Sequence, residues 1–253
     1  MDSRPIILKP IDMNLDENIA LVDELLKLSS SLDIVLSRES AELCVGHLLY
    51  VVQVNEYINL TRITDLHEAL VLHILDSLTL NRFIPQDVSK VLDMGTGAGF
   101  PGIPLAITND VSIELLDSVG KKIKADNAFI KQLALDNVQG FHDRIESYGN
   151  THRGSFDLVV ARALAGLPIL IEYATPFLSA NGSLLVSKGN PSVEEFETGL
   201  KSAKICGLEL RDNLEFDLPD NLGHRQILRF QRVSAPSVKL PRANGEARRN
   251  PLA

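Results

Sequence analysis

Apolar residues recur at three- and four-residue intervals over 19–36 and again over 41–58, which predicts two amphipathic helices. A third helix is expected over 66–83. In it Leu70, Val71, Ile74, Leu75 and Leu78 form one apolar face, while His73, Asp76 and Ser77 fall at i, i+3 and i+4 on a different, polar one. From about residue 90 the pattern changes to short apolar runs separated by helix-length segments. Strands are expected at 91–93, 113–117, 138–142, 156–161 and 183–187, with helices over 121–135, 167–178 and 193–206. Such alternation implies a parallel sheet covered on both faces. Two further strand-like runs, 208–218 and 226–233, are separated only by the loop that begins at Asp220. A connection that short makes them antiparallel neighbours, because a parallel pair needs a crossover.

The pattern therefore predicts an α/β chain with three parts: an N-terminal helical extension (1–85), a Rossmann-like core (86–235) and a basic tail (236–253). A mostly parallel seven-stranded sheet finished by an antiparallel hairpin is the arrangement of class I methyltransferases. A nicotinamide-binding Rossmann domain would keep its sheet parallel.

The first core strand runs into DMGTGAGFPG (93–102), followed by a helix-compatible segment, the context that a nucleotide-binding loop requires. Gly95, Gly97 and Gly99 let the backbone turn tightly and approach a ligand. Asp93, at the strand end, can engage the ammonium side of a methionine moiety, which favours S-adenosylmethionine over a dinucleotide pyrophosphate. Asp117 ends the second strand, where a carboxylate can accept hydrogen bonds from both ribose hydroxyls. No Lys-Ser or Lys-Thr closes the loop, so a P-loop is excluded.

Composition alters this picture little. Hydrophobic residues make up 45% and charged residues 23% of 253, ordinary globular values. No apolar run approaches bilayer-spanning length and no secretory leader is evident. Cys44 and Cys206 both sit in apolar helical patterns and read as buried thiols of a cytoplasmic protein. The net charge of −8 argues mildly against wholesale nucleic-acid binding. The tail is locally basic, with Lys239, Arg242, Arg248 and Arg249 against Glu246. It reads either as a phosphate-touching arm or, as composition favours, as a solvated terminus.

GTGAGFPGIPL (95–105) with LLDSVGKK (115–122) resembles the signature of the RsmG (GidB) family. NLT (59–61), HILDS (73–77), RIE (144–146), RA (162–163), KG (188–189) and the tail KLPRANGEARRNPL (239–252) are similar to that family's motifs in the same order. The resemblance implies N7-methylation of a guanine in the decoding-region loop of 16S ribosomal RNA, with S-adenosylmethionine as donor and a small ribosomal subunit or assembly intermediate as partner. By position, it implies that Gly95, Gly97, Gly99 and Phe100 line the cofactor and that Asp117 holds its ribose. Ile145 and Glu146 would border the adenine, and Arg162 would close the site near the reacting end. His73, Asp76, Arg144 and Lys188 would lie on or near the RNA-facing surface. Leu240 stands where members often have an aromatic residue, and Ala247 where they often have proline. Both departures weigh against a rigid, ordered tail.

The implied chemistry suits what the chain lacks. Guanine N7 offers a lone pair without a proton, so proximity, alignment and desolvation matter more than a general base. Neither cysteine follows a proline, as a cytosine-C5 nucleophile would, and no Asn-Pro-Pro-Tyr or Asp-Pro-Pro-Tyr run follows the fourth strand. Arg162 stands there instead, as an orienting group that stays protonated or as a partner of a helix acid. His73 and Asp76 remain open among substrate contact, core hydrogen bonding and half of a metal site. The scattered histidines argue against metal. Lys121 and Lys122 are either phosphate contacts or ordinary surface charge. Two alternatives stay in play: a methyltransferase of small molecules or proteins, which predicts a closed apolar pocket, and a non-catalytic cofactor-binding scaffold. The expected assembly state is a monomer.

Overall fold

The computed structural model describes residues 5–253. Helices α1 (Asp16–Ser31) and α2 (Arg38–Asn55) form where the three- and four-residue periodicity predicts them. Ser37 starts α2 by accepting a hydrogen bond from the Ser40 amide, which satisfies one of the unpaired donors of the first turn. The third helical segment is not uniform. It opens as α3 (Leu66–Ala69), widens into a π turn over Leu70–Leu75, resumes as α4 (Asp76–Leu78) and tightens to a 3₁₀ turn over Thr79–Phe83. Its polar face is only partly solvated: Asp76 and Ser77 are buried alongside Ile74 and Leu75, while His73 is half-buried. The physical reason lies in partners from distant strands, described below.

The core carries strands β1 (Lys90–Met94), β2 (Ser112–Asp117), β3 (Val138–His142), β4 (Phe156–Arg162), β5 (Leu178–Lys188), β6 (Leu208–Asp217) and β7 (His224–Arg232). Between and after them lie α5 (Gly102–Thr108), α6 (Gly120–Gln132), α7 (Ile145–Thr151), α8 (Leu167–Ala174), α9 (Val193–Cys206) and α10 (Glu246–Arg249). The strand order is β3-β2-β1-β4-β5-β7-β6; β7 runs antiparallel to both β5 and β6, and the remaining pairs are parallel. This is the class I Rossmann-like methyltransferase fold with an N-terminal helical extension.

Side chains alternate across the sheet and build two cores. On one face Val91, Ile113, Leu158 and Val160 pack with α5, α6 and residues of the N-terminal helices, including Leu25, Leu48 and Leu75. On the other, Leu92, Leu116, Val159 and Val186 pack with α8, α9 and the tail residues Leu240 and Ala247. Both cysteines are buried and free. No helix among the described residues is long and apolar enough to cross a membrane. The strand order reverses between β1 and β4, and the carboxyl ends of β1, β2, β4 and β5 converge there, which is where open α/β sheets bind ligands.

Candidate functional site

The turn after β1 is built on left-handed glycines: Gly95, Gly97 and Gly99 have φ of 80°, 70° and 82°. A Cβ at Gly95 would sit 2.6 Å from the Leu164 side chain, whereas one at Gly97 would meet nothing within 4 Å. Gly97 therefore faces open space, and its bare backbone is available to a ligand. Asp93 works beneath the loop. Its Oδ2 accepts hydrogen bonds from Thr96 Oγ1 (2.6 Å) and the Gly102 amide (2.8 Å), and its buried Oδ1 has no partner. Burial raises this carboxyl to about 6. Asp117, at the end of β2, accepts from the Gly97 amide (3.1 Å) and the Val119 amide (2.8 Å). Each of its oxygens keeps a second lone pair for a hydroxyl donor.

Beside Asp117 opens a cavity of about 140 Å³, lined by Gly95, Ser118, Arg144, Ile145, Glu146, Leu164, Tyr173, Gly245 and Arg248. Its chemistry suits a nucleoside: a carboxylate for the sugar hydroxyls, the apolar sides of Ile145 and Leu164 for a base, and a backbone without a side chain at Gly95. Glu146 is spent on the protein itself, accepting from the Gly245 amide at 2.7 Å.

A second cleft, about 380 Å³ and open to solvent, lies across the end of β4 and is lined by His73, Asp76, Arg162, Ala163, Lys188 and Arg225 among others. Asp76 is 2% exposed and ties two arginines: Arg162 Nη1 on Oδ2 at 2.9 Å and Arg225 Nε on Oδ1 at 3.0 Å. Arg162 Nη1 also donates to the Leu72 carbonyl at 2.8 Å. A π turn does not close the regular i→i−4 ladder, and here a carbonyl within it serves the arginine. His73 bonds Thr61 Oγ1 through Nε2 (2.8 Å) and stacks on Phe100 at 4.7 Å between ring centroids. Burial and the adjacent Arg162 charge lower His73 to about 4, so its ring is neutral at physiological pH. Lys188 Nζ donates to the Ala165 carbonyl at 3.1 Å and pairs with Glu195 at 2.8 Å.

Of the residues expected at the cofactor, Gly95, Asp117, Ile145 and Glu146 meet around the first cavity, and Arg144 joins them there rather than at the second cleft. Phe100 is packed beneath the loop between His47 and His73 and lines neither cavity itself, although it stacks on His73 of the second cleft. Arg162, His73, Asp76 and Lys188 meet at the second cleft, where Asp76 acts only through the arginines it holds. Ala163 (φ 52°) faces the second cleft and Leu164 the first, so one strand-end turn divides them. Sequence reasoning passed over Arg225 and Tyr173, and it read Gly245 and Arg248 only as part of the tail, not as lining of the first cavity. Arg225 belongs to no motif, and its only signal is its place just after the hairpin loop. The tail is seated, against the compositional expectation. Leu240 and Ala247 are buried in the second core, and Arg242 forms a two-pronged pair with the buried Glu172 at 2.7 and 2.6 Å. Among the described residues no group of three or more His, Cys, Asp or Glu is placed to hold a metal ion.

The family described as GidB, rRNA small subunit methyltransferase G, matches residues 40–217. The chain is 38% identical over 201 residues to the ribosomal RNA small subunit methyltransferase G of Acetivibrio thermocellus, covering 78% of this chain and 83% of that protein. It is 37% identical over 224 residues to the protein of the same name from Desulfitobacterium hafniense, covering 87% and 93%. Among solved structures, the YcgJ protein of Bacillus subtilis superposes with a TM-score of 0.51 at 13% identity, over 63% of this chain and 98% of that one. A SAM-dependent methyltransferase from Aquifex aeolicus gives 0.50 at 16% identity, over 66% and 93%. These two likenesses concern the fold.

Proposed function

Because the chain belongs to the rRNA small subunit methyltransferase G (GidB) family, and is with it an S-adenosylmethionine-dependent methyltransferase, we propose that it methylates N7 of a guanine in the decoding-region loop of 16S ribosomal RNA. Its substrate is the RNA within a small ribosomal subunit or an assembly intermediate, and it acts as a monomer. S-adenosylmethionine supplies an electrophilic methyl group when bound. The protein's part is to seat the donor in the first cavity, with Asp117 at the ribose and Ile145 and Leu164 at the base. The guanine is then presented across the Ala163–Leu164 turn.

The observation that carries this reading is the chemistry of the second cleft. Its titratable groups are already committed: His73 is neutral with Nε2 bonded to Thr61, Asp76 is held by two arginines, and Lys188 is paired with Glu195. The Nδ1 of His73 has no partner but is buried, so none of these groups presents a free base to the cleft. A nucleophile that must be deprotonated is poorly served here, and a ring nitrogen with a ready lone pair is well served. Arg162, Arg225 and Lys188 are three cations against the two carboxylates they pair with, so the cleft keeps a positive excess suited to phosphate-bearing substrate. The alternative of a small-molecule or protein substrate predicts a closed apolar pocket, and this cleft is open and charged.

The test is methyl transfer from labelled S-adenosylmethionine to small subunits from cells lacking the endogenous enzyme, followed by nucleoside analysis. Label in 7-methylguanosine at a single site of the small-subunit RNA is expected. No label, with cofactor binding confirmed separately by calorimetry, would overturn the RNA assignment and bring the small-molecule or protein substrate forward.

A further inference from the structure

The carboxy-terminal segment belongs to the cofactor cavity as much as the glycine loop does. Gly245 and Arg248 line that cavity together with Gly95 and Asp117. The Gly245 amide donates to Glu146 Oε1 (2.7 Å), and Arg248 Nη2 donates to the Leu164 carbonyl (3.2 Å), so the segment touches both walls expected to hold the base. Gly245 reaches this position with φ of 75°, a conformation that disfavours other residues. The segment is anchored away from the cavity. Arg242 grips Glu172, which is 3% exposed, through Nε and Nη2, and also donates to the Asn250 carbonyl at 2.7 Å, closing the segment on itself. Leu240 and Ala247 plug it into the core on either side of Gly245. Tyr173, on α8, lines the cavity and is coupled to both Glu146 and Arg248.

We infer that residues 240–252 form a latched wall on the nucleoside side of the cofactor cavity, with Arg242–Glu172 as the latch and Arg248 as the residue that holds the wall against the Leu164 turn. Cofactor binding and the seating of this segment are then linked: each favours the other by the same factor. The inference rests on the assignment of the first cavity to the cofactor.

The experiment uses the full chain with S-adenosylhomocysteine as the probe. Calorimetry is run on the wild type, Arg242→Ala, Arg248→Ala and, as a control on the far hairpin, Arg211→Ala. Hydrogen exchange of residues 240–252 is followed in the wild type with and without the probe. The expected result is affinity weakened about tenfold in Arg242→Ala and about three- to tenfold in Arg248→Ala, no change in the control, and slower exchange of the segment when the probe is bound. Affinities within about twofold of wild type, or segment exchange that the probe leaves unchanged, would overturn the inference while the cavity assignment stands. The exchange measurement needs no variant, so it decides the matter even if Arg242→Ala fails to fold. A wild-type chain that binds no probe at all overturns the cavity assignment, and the inference with it.

Discussion

At the scale of single residues, the buried ionisable groups pull stability in opposite directions as pH changes. Asp126 is fully buried on α6, and neither carboxylate oxygen has a hydrogen-bond partner. Burial, reinforced by the charges of Asp93 and Asp117, raises it well above the ordinary 3.8. Asp93 is raised as well, to about 6. A carboxyl whose pKa is raised on folding binds more protons in the native state. Its contribution is complete below 3.8 and is lost as pH climbs through the folded value. His47 and His73 do the reverse. Burial lowers them from 6.5 to about 3 and about 4, so their contribution is complete above 6.5 and is lost as pH falls toward those values. Asp126→Asn removes one arm of this balance. Its melting temperature is expected to exceed wild type by roughly 2–4 °C at pH 8, with the gain shrinking toward pH 5. Thermal denaturation followed by circular dichroism across that range checks it, and an equal or opposite change at both pH values would sink the idea. For Arg162→Ala, single-turnover methyl transfer is expected to fall about 10- to 100-fold, because the group that spans Leu72, Asp76 and the cleft is lost. Stability should drop by about 1–3 kcal/mol, limited because Arg225 still pairs Asp76. Unchanged turnover would show that Arg162 serves only the fold.

At the scale of elements, legibility followed the range over which the determining contacts act. Helix α9 and strand β3 begin and end where the pattern places them. For α9 the signals are local: Ser192 caps its first turn by accepting from the Glu195 amide, and Gly207 ends it in the left-handed region at φ 73°. Those signals also make a sharp prediction. An added Cβ at Gly207 would lie 2.5 Å from the Ser234 carbonyl oxygen, so Gly207→Ala combines backbone strain with a clash against main chain. It is expected to cost roughly 2–4 kcal/mol, read as a midpoint shift in urea with an unchanged slope. Other elements were illegible for stated reasons. Helix α7 spans only Ile145–Thr151, too short to show a period. Strand β5 starts at Leu178 rather than near Ser183, because Asn181 and Gly182 read as a turn. Which of the open readings holds for Asp76 could not be told from the sequence, because its partners Arg162 and Arg225 arrive from β4 and β7, far along the chain. In the same way, the first cavity was legible in its glycines and Asp117, whereas its far wall, supplied by α8 and the tail, was not.

For the whole molecule, the sheet and the N-terminal helices share one hydrophobic cluster. Leu25 and Leu48 from the helices and Leu115 and Leu158 from the strands belong to it together. Removing the helices would expose that face of the sheet, so the helical segment and the core are expected to unfold together. Ellipticity and the exchange of α2 amides should therefore report one thermal transition with a common midpoint. Two separated midpoints would show that the helices are an independent unit. The overall charge of −8 and the positive excess at the second cleft point to attraction that is local, so on the proposed function association with small ribosomal subunits should weaken as salt is raised.

The π turn at Leu70–Leu75 bears on how this chain can vary over evolutionary time. A π turn holds one residue more than the α-helical turn it replaces, and each residue advances a helix by about 100°. Deleting one residue there would restore a regular helix and swing His73 and Asp76 relative to each other and to Arg162, breaking contacts on both sides of the cleft at once. Substitutions along the turn can be absorbed one at a time, but changes in its length cannot. Insertions and deletions should therefore be rare between Thr61 and Leu78.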